Sequence, residues 1–376
     1  MQAYLDNSAT TPLCDEAKRW MCRAMDTCWG NPSSLHEVGL AAESLLEESR
    51  AAVAKALRCK PAELRFTSGG TEANNLALFG AAKANRRVGR RVLVSAVEHP
   101  SVMKAAEQLA QDGFDVRLIP VDRYGCVLLP AFREMLTDDV CLVSVMAVNN
   151  ELGAVEPVSE IAAALKTQKS RALFHVDAVQ AFGKLPLSPA KIGCDLMTVS
   201  AHKIHGPKGV GALWIRPGVL IRAHTFGGEQ EGTLRPGTEP MPAIAGFGGA
   251  ATRVAPEKHL PRVTALRDDF VAALRREAGV TVNSGENALP YIIHLSLPGL
   301  PAEAVLNFLS DRGIYVSSGS ACAKGHRSPV LAAAGLDVPL ADAAVRISLS
   351  DETTAQELSF ALDGIRAALK MIRRKG

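Results

Sequence analysis

Long hydrophobic runs and basic clusters are missing from this sequence. No stretch approaches roughly 18 uninterrupted apolar residues, so no membrane span is predicted. The formal net charge is only +3, and the longest basic run is the Arg-Arg-Lys tail at 373–375. Neither feature is typical of a nucleic-acid-binding protein. The first residues lack a basic segment followed by an apolar stretch, so we expect no signal peptide and a cytoplasmic protein.

Paired cysteines are missing too. The eight cysteines are scattered, and no two of them are spaced as Cys-x-x-Cys. In a chain of 376 residues this pattern favours neither a disulfide framework nor a structural zinc site, and it indicates a reducing compartment. His202 and His205 could suggest a metal, but no third and fourth ligand cluster near them in the sequence. We therefore expect no metal.

Hydrophobic residues make up 47% of the chain and charged residues 22%, which excludes a disordered protein. Between residues 60 and 215, short apolar runs rich in β-branched residues alternate with helical patterns. Runs this apolar are typical of strands covered on both faces, so the alternation predicts an α/β fold with a mostly parallel mixed sheet. The predicted strands are 91–97, 140–146, 172–177, 195–200 and 209–215, and the helices between them include 102–111 and 158–169.

A smaller α+β region follows, with a boundary predicted near residues 240–258. We expect a large α/β domain at 14–250 and a small α+β domain made of 1–13 and 251–376, in which the N-terminus returns to pack with the C-terminal part. The sequence contains no internal repeat and no low-complexity segment. The predicted elements of the small domain are helices at 260–278, 302–312 and 353–372, and strands at 291–297, 314–316 and 344–349.

Chemically reactive residue types stand at the ends of the predicted strands, where open α/β sheets bind their ligands. A Ser-Gly-Gly-Thr turn at 68–71 runs into a helix, whose free N–H groups and dipole favour an anion such as phosphate. The alternative is a plain strand–helix turn capped by Thr71. His99 follows another strand, and a lone histidine of this kind is often a structural residue instead of a catalyst.

Two further strand ends carry charge. Asp177 closes a buried strand, where a carboxylate is costly unless it meets a cation or several donors. Lys203 follows a strand of apolar and hydroxyl-bearing residues and precedes a Gly-Pro turn. A lysine held there has a lowered pKa and can act as a nucleophile, whereas the alternative is a solvated lysine on a loop.

A phosphate cradle, an amine nucleophile, a carboxylate and a histidine together meet the needs of pyridoxal phosphate (PLP). The lysine closes an imine with the cofactor, and the aspartate stabilises the protonated pyridine nitrogen. A close ion pair at an effective dielectric near 20 is worth roughly 4 kcal/mol, which is about three orders of magnitude in cofactor protonation. The four strand ends therefore predict a PLP site.

Short motifs follow one another in order along nearly the whole chain. They are Tyr-Leu-Asp-Asn-Ser-Ala-Thr-Thr-Pro at 4–12, Gly-Asn-Pro-Ser-Ser at 30–34, Ser-Gly-Gly-Thr-Glu at 68–72, Val-Asn-Asn-Glu-Leu-Gly at 148–153, Ser-Ala-His-Lys at 200–203, Leu-Arg-Pro-Gly-Thr-Glu at 234–239, Ser-Ser-Gly-Ser-Ala-Cys at 317–322 and Val-Arg-Ile-Ser-Leu at 345–349. With these motifs the sequence resembles the cysteine desulfurases, the NifS/IscS-like branch of the class V aminotransferase superfamily. The resemblance implies a PLP-dependent transferase of fold type I, with PLP bound by the large domain.

The resemblance also implies roles for residues around the cofactor. Lys203 would hold PLP and shuttle the Cα proton, Asp177 would pair with the pyridine nitrogen, and His99 would stack on the ring and assist proton transfer. Gln180 would hydrogen-bond the ring phenolate. The residues implied to bind the phosphate are Gly70, Thr71, Ser200, His202 and, from the neighbouring subunit of a homodimer, Thr238.

For the substrate, L-cysteine, the resemblance implies binding by Asn31, Asn150 and Arg346, with Arg346 taking the carboxylate in a bidentate fork. Cys322 would attack the substrate sulfur, leaving L-alanine and an enzyme persulfide for a sulfur-acceptor protein, such as an iron–sulfur scaffold or a thiolation protein. Its neighbours Lys324, His326 and Arg327 favour the thiolate. The other seven cysteines are expected to be packing residues.

Three features depart from the family pattern. The loop after Cys322 is about two residues shorter than is usual in the family, and the segment 227–233 lacks an arginine that the family often carries. The sequence also ends at Gly376, soon after the last predicted helix, without the long C-terminal extension of some members. The alternatives are a selenocysteine lyase or another PLP-dependent enzyme of the same fold, and a non-catalytic sulfur-relay subunit. A metal-binding protein is the least favoured reading. Cys322 discriminates between the enzymes, because transamination needs no thiol.

Overall fold

The computed structural model describes residues 1–318 and 327–372. Within these residues the chain forms twelve strands that belong to three sheets. The strands are β1 (Ala3–Tyr4), β2 (Leu64–Thr67), β3 (Arg91–Ser95), β4 (Asp115–Ile119), β5 (Val140–Ser144), β6 (Leu173–Asp177), β7 (Leu196–Ser200), β8 (Gly211–Ile215), β9 (Thr281–Val282), β10 (Ile292–Ser296), β11 (Ile314–Tyr315) and β12 (Ala344–Ser348).

Seven strands form a central mixed sheet in the order β2-β8-β7-β6-β5-β3-β4. Strand β8 runs antiparallel to both of its neighbours, and the remaining pairs are parallel. Strands β5 and β7 are buried along their whole length, as their largely apolar sequences predict. The predicted α/β fold with a mostly parallel mixed sheet is therefore confirmed.

Strand β4 was not predicted from the sequence. It lies at the edge of the central sheet and carries Asp115 and Arg117, so it lacks the apolar run that identifies a central strand. Charged residues are common on edge strands because they discourage pairing with another chain. The apolar-run pattern therefore finds the covered strands and overlooks the edge.

The C-terminal part of the chain contains two small sheets. Strands β12, β10 and β9 form an antiparallel sheet in that order, and β1 pairs in parallel with β11. The N-terminal segment thus packs with the C-terminal part, and a further bridge joins Asp6 to Ser348. The domain limits at 13/14 and 250/251 stay a prediction.

Thirteen α-helices are found among the described residues, and two that start at proline show why helix starts are hard to place from the sequence. Helix α4 begins at Pro100 and α9 at Pro256, in each case before the first residue of the predicted helix, because proline is well suited to the first turn. Nowhere in residues 1–318 and 327–372 does a helix have the length and apolar character needed to cross a membrane. The helices are α1 (Asp15–Asp26), α2 (Glu37–Leu57), α3 (Gly70–Ala84), α4 (Pro100–Gln111), α5 (Leu129–Met135), α6 (Val158–Thr167), α7 (Pro189–Ile192), α8 (Met241–Ala251), α9 (Pro256–Leu274), α10 (Ala302–Ser310), α11 (Pro329–Ala333), α12 (Val338–Ala341) and α13 (Ala355–Met371).

A buried ion pair ties the segment after β8 to the central sheet. The Glu231 carboxylate accepts hydrogen bonds from Arg50 Nη2 at 2.7 Å, from Arg50 Nη1 at 3.0 Å and from the Phe66 backbone N–H at 2.9 Å. The side chain of Glu231 is only 2% exposed. Because Phe66 lies on β2, the pair holds the segment that leads to Thr238 against the edge of the sheet.

Replacing Glu231 with glutamine is expected to lower the free energy of unfolding by about 1–3 kcal/mol, because the buried Arg50 guanidinium loses the charge of its closer partner and keeps only that of the exposed Glu47 at 3.2 Å. Urea unfolding followed by circular dichroism measures this change. Glu257→Gln removes an exposed pair with Arg58 and serves as the control, for which no measurable change is expected. Equal stability of both variants would contradict the anchoring role.

Candidate active site

A cavity of about 420 Å³ lies at the carboxyl ends of the parallel strands, in the size range of small-molecule sites. Segments that follow β3, β5, β6 and β7 contribute to its wall, together with the start of α3, the N-terminal segment and β12. The predicted residues that line it are Gly70, Thr71, His99, Asn150, Asp177, Gln180, Ser200, His202, Lys203 and Arg346.

Lys203 lies on the single turn of 3-10 helix that follows β7, at 201–203. Its ammonium donates hydrogen bonds to the carbonyl oxygens of Ser8 at 2.5 Å and Ala9 at 2.7 Å. The N-terminal segment therefore holds the amine in the cavity. Burial and the charges of Lys203 and Lys208 lower the pKa of the neighbouring His202 to about 4, so His202 is neutral near pH 7.

Asp177 ends β6 and is only 4% exposed. Its Oδ2 accepts a hydrogen bond from Asn74 Nδ2 at 2.7 Å, and its Oδ1 accepts one from the Val179 backbone N–H at 2.9 Å. Hydrogen bonds from these two donors replace the water that burial removes from the carboxylate. The structure therefore presents a carboxylate to whatever the cavity binds.

His99 caps the N-terminus of α4, and its Nδ1 accepts a hydrogen bond from the Ser101 backbone N–H at 3.1 Å. Burial lowers the pKa of His99, the charge of Asp177 opposes this shift, and the charge of Lys203 adds to it. The ring is therefore favoured in its neutral form. It lines the same cavity as Asp177 and Lys203.

The predicted phosphate cradle is formed where β2 leads into α3. Gly69 adopts a φ of 149°, which side-chain-bearing residues rarely adopt, and Gly70 begins the 15-residue helix. A Cβ on Gly70 would come within 2.9 Å of Val179 Cγ2, so only glycine leaves this wall undisturbed. Free backbone N–H groups at such a helix start bind anions well.

Arg346 lies on β12 with a side chain that is 3% exposed. Its Nη2 donates to Asp6 Oδ1 at 2.8 Å, and its Nη1 donates to the Asn150 carbonyl oxygen at 2.8 Å. The guanidinium is thereby oriented by two segments that are far away in the sequence. Each terminal nitrogen keeps a second N–H, so a carboxylate can still be bound by the fork.

Gln180 has its amide fixed at both ends. Its Nε2 donates to the Ser8 carbonyl oxygen at 3.0 Å, and its Oε1 accepts a hydrogen bond from Lys184 Nζ at 3.0 Å. Burial, together with the charges of Lys203 and Arg346, lowers the pKa of Lys184 to about 7. The N–H end of Gln180 is therefore turned to the side where Lys203 is also held.

Three predicted site residues do not line this cavity. Thr238 and Asn31 lie together on a separate groove of about 470 Å³ beside Met25 and Trp29. Cys322 falls outside the described residues. His202 and His205 have different surroundings, since His202 lines the cavity whereas His205 Nε2 lies 3.0 Å from Asp351 Oδ1. No three potential metal ligands cluster within the two described ranges.

The expectation that the other cysteines are packing residues is wrong at one position. Cys14, Cys28, Cys141 and Cys194 are buried, whereas Cys22 is exposed on α1. Cysteine is usually a buried residue type, but charged residues lie one turn away from Cys22 on both sides, so the helical spacing itself places it on the solvent-facing side of α1.

Comparisons with known proteins agree over almost the whole chain. The family described as Aminotransferase class-V matches residues 3–360. Cysteine desulfurase IscS of Dictyoglomus turgidum is 38% identical, with 99% of this chain and 95% of that protein covered. Cysteine desulfurase IscS 1 of Archaeoglobus fulgidus is 37% identical, with 98% and 97% covered. The chain belongs to the cysteine desulfurase branch of the class-V aminotransferase family.

Solved structures of similar proteins share the fold of this chain. A structure titled NIFS-LIKE PROTEIN superposes with a TM-score of 0.93 at 36% identity, covering 99% of this chain and all of the other. A second, titled SspA in complex with cysteine, has a TM-score of 0.82 at 30% identity, covering 94% of this chain and 100% of the other. The predicted fold type of the PLP-dependent transferases is therefore confirmed.

The family is generally PLP-dependent, and the cavity fits that cofactor. The hydroxyl oxygens of Ser8 and Ser200 are buried in the cavity wall and have no hydrogen-bond partner among the described residues. Each is therefore available to hydrogen-bond a polar group of a ligand. A helix start, a carboxylate and an amine complete the set that a phosphate, a pyridine nitrogen and an aldehyde require.

Several residues of the site were not assigned from the sequence. Asn74 contacts Asp177, Ser101 contacts His99, and Lys184 contacts Gln180. Asn74 offered a signal, since it is a polar residue four positions after Gly70 and therefore lies on the same face of the helix. Its partner could not be read from the sequence, because Asp177 is 103 residues away.

Proposed function

We propose that this chain uses PLP to remove the sulfur of L-cysteine, releasing L-alanine and carrying the sulfur as a persulfide on Cys322. Cysteine desulfurase is the activity of its family, and the single observation that supports the residue roles is the shared cavity of Lys203, Asp177 and His99. Membership alone names no residue, whereas this convergence supplies the groups that the chemistry needs.

In this proposal, different residues of the cavity bind different parts of the cofactor. Asp177 holds the pyridine nitrogen, Gln180 donates to the ring oxygen, and the residues at the start of α3 bind the phosphate together with Ser200 and His202. When bound, PLP supplies an electron sink that stabilises the charge left after the Cα proton departs. The Lys203 amine, held beside the carbonyl oxygens of Ser8 and Ala9, accepts and returns that proton.

Arg346 binds the carboxylate of the substrate in this proposal. The charge of its guanidinium is balanced by Asp6 on one side, and its position is fixed by the Asn150 carbonyl on the other. Arginine is suited to this task because its planar fork matches a carboxylate, which a lysine cannot copy. Asn150 thus contributes through its backbone to the placement of the substrate.

The sulfur step is proposed to take place at Cys322, outside the described residues. The Cys322 thiolate forms an S–S bond with the substrate sulfur while the substrate Cβ–S bond breaks, and the electron pair of that bond remains with the three-carbon fragment. The fragment takes up protons and leaves as alanine. Cysteine and a thiol thereby become alanine and a persulfide, and no external oxidant or reductant is consumed.

A second copy of the chain is proposed to complete the site. Thr238 and Asn31 are exposed residues on a groove that is separate from the cavity of Lys203, which supports the proposal that they act at the site of a neighbouring subunit. The apolar side chains of Met25 and Trp29 beside them, 52% and 66% exposed, suit such a contact. A homodimer, a sulfur-acceptor protein and a cytoplasmic location complete the proposal.

The proposal is tested by the Cys322→Ala variant with L-cysteine as substrate. We expect sulfide release under reductant to fall at least about 10²-fold, because the nucleophile is gone, while the absorbance of the bound cofactor stays. The native protein should gain the mass of one sulfur atom on the Cys322 peptide. Cys22→Ala, which removes an exposed cysteine on α1, is the control and should behave as the native protein.

Full sulfide release by Cys322→Ala would contradict the persulfide role. A native protein that forms alanine from selenocysteine but not from cysteine would favour the selenocysteine lyase instead. Absence of alanine from either substrate, even with an added thiol, would identify a sulfur-relay subunit.

A further inference from the structure

The ring of His99 is placed by the way α4 begins. His99 is the capping residue, and Pro100 at the first helical position has no N–H to offer. The first free backbone donor of the helix is therefore Ser101, whose N–H lies 3.1 Å from His99 Nδ1. Since a backbone N–H can only donate, Nδ1 must be the ring nitrogen that carries no hydrogen.

A second group reinforces this assignment. Ser101 Oγ lies 2.8 Å from the same Nδ1, and an Nδ1 without hydrogen can only accept from that hydroxyl. The hydroxyl is free to donate because its oxygen accepts a hydrogen bond from Asn74 Nδ2 at 2.8 Å. Both contacts at Nδ1 therefore require the same protonation state of the ring.

The orientation of Asn74 is decided in turn by Asp177. Asn74 Nδ2 lies 2.7 Å from Asp177 Oδ2, and an ionised carboxylate only accepts hydrogen bonds. Turning the amide over would place its oxygen against that carboxylate, so the NH₂ group must face both Asp177 and Ser101. The direction of every hydrogen bond from Asp177 to His99 is thus determined.

We infer that Asn74 and Ser101 hold His99 in the neutral form with its hydrogen on Nε2, so that His99 acts in the cavity as a hydrogen-bond donor and leaves proton abstraction to Lys203. This inference deepens the proposed function and rests on it. Asn74 and Ser101 are positioning residues, since they act through His99. The family resemblance implied that His99 assists proton transfer, and the hydrogen-bond directions restrict that role to donation.

The restriction follows from both ring nitrogens. Nε2 already carries a hydrogen and has no lone pair to offer as a base. Protonating Nδ1 would set an N–H against the Ser101 N–H and take the acceptor away from the hydroxyl. The surroundings of the ring do not reverse this. Burial and the ammonium of Lys203 lower the pKa of His99, and together they outweigh the carboxylate of Asp177, which raises it. Among the described residues no protein acceptor is found for Nε2, which leaves its N–H to a ligand in the cavity.

The tautomer can be measured directly by nitrogen NMR of protein labelled with ¹⁵N-histidine. We expect the His99 signals to show hydrogen on Nε2 near neutral pH, in protein stripped of PLP as well as in loaded protein. His99→Gln identifies the signals by their loss. Hydrogen on Nδ1, or a doubly protonated ring, in the stripped protein would overturn the inference.

Two substitutions at His99 separate a donor from a base. The side chain of His99→Gln offers an amide N–H but cannot take up a proton near neutral pH, whereas His99→Ala offers neither. If His99 only donates, the kcat of His99→Gln should stay within about 10-fold of the native value and that of His99→Ala should fall by about 10²-fold or more. Equal losses in both variants would show that an amide N–H cannot replace the ring and would refute the donor role.

The role of Ser101 is tested with a conservative pair. Ser101→Ala removes the hydroxyl that donates to Nδ1, so the ring should take up a second proton at a higher pH than in the native protein, whereas Ser101→Thr should restore the native titration. An unchanged His99 titration in Ser101→Ala would show that the hydroxyl does not act on the ring. The NMR measurement does not depend on cysteine turnover. It therefore still tests the tautomer of His99 if the proposed desulfurase activity proves wrong.

Discussion

Replacing Lys203 with alanine is expected to abolish alanine formation from cysteine, with kcat lowered at least about 10⁴-fold, the upper end for the loss of a general base. The amine is unique in the proposed chemistry because it both holds the cofactor and moves the Cα proton. In the structure it is fixed by two backbone carbonyls at the cavity wall. Steady-state alanine production and the visible spectrum of the purified variant measure the two losses.

Lys191→Ala provides the matched control for this variant. Lys191 lies on α7, is exposed and does not line the cavity, so its removal should leave kcat, KM and the spectrum unchanged. Methylamine added to Lys203→Ala should restore part of the proton transfer, because a free amine can enter the space that the side chain leaves. Native turnover by Lys203→Ala would refute the role of this lysine.

Asp177→Asn is expected to lower kcat by about 10³-fold, since a close charge pair with the cofactor is worth roughly 4 kcal/mol at an effective dielectric near 20. The amide can still accept a hydrogen bond from the Val179 N–H, which the carboxylate accepts at 2.9 Å, so the fold around β6 should persist. Cysteine turnover and the amount of PLP retained after gel filtration measure the effect.

Asp115→Asn is the control for the aspartate. Asp115 lies on the edge strand β4 in ion pairs with Arg91 and Arg117, away from the cavity, and its replacement should leave turnover unchanged. Thermal unfolding of both variants distinguishes a lost charge from a damaged fold. If Asp177→Asn retained native turnover, the carboxylate would not be the partner of the cofactor.

The sequence was informative about the candidate site where a single reactive residue stands at the end of a predicted strand. Lys203, Asp177 and His99 follow covered strands, and parallel strands bring their carboxyl ends to one edge of the sheet, so their convergence could be predicted before any coordinates. Where the pattern is weaker, prediction failed. The edge strand β4 lacks an apolar run, and Cys22 is of a residue type that is usually buried, which outweighed the charged neighbours one turn away on α1.

Contacts between distant residues could not be predicted in the same way. Arg346 meets Asp6 across 340 positions, and Asn74 meets Asp177 across 103. Such pairs depend on how the N-terminal segment and α3 pack against the sheet, and many partners are compatible with the same local pattern. The hydrogen-bond directions that assign the His99 tautomer belong to this class.

By itself, the sequence determined the family and the fold class and supplied the candidate reactive groups, because ordered motifs and the alternation of apolar runs are local properties of the chain. Only the tertiary structure decided which groups share a cavity, and it set Asn31 and Thr238 on a different groove from Lys203. It also decided what His99 can do, since a ring nitrogen becomes an acceptor through the donors that folding brings to it.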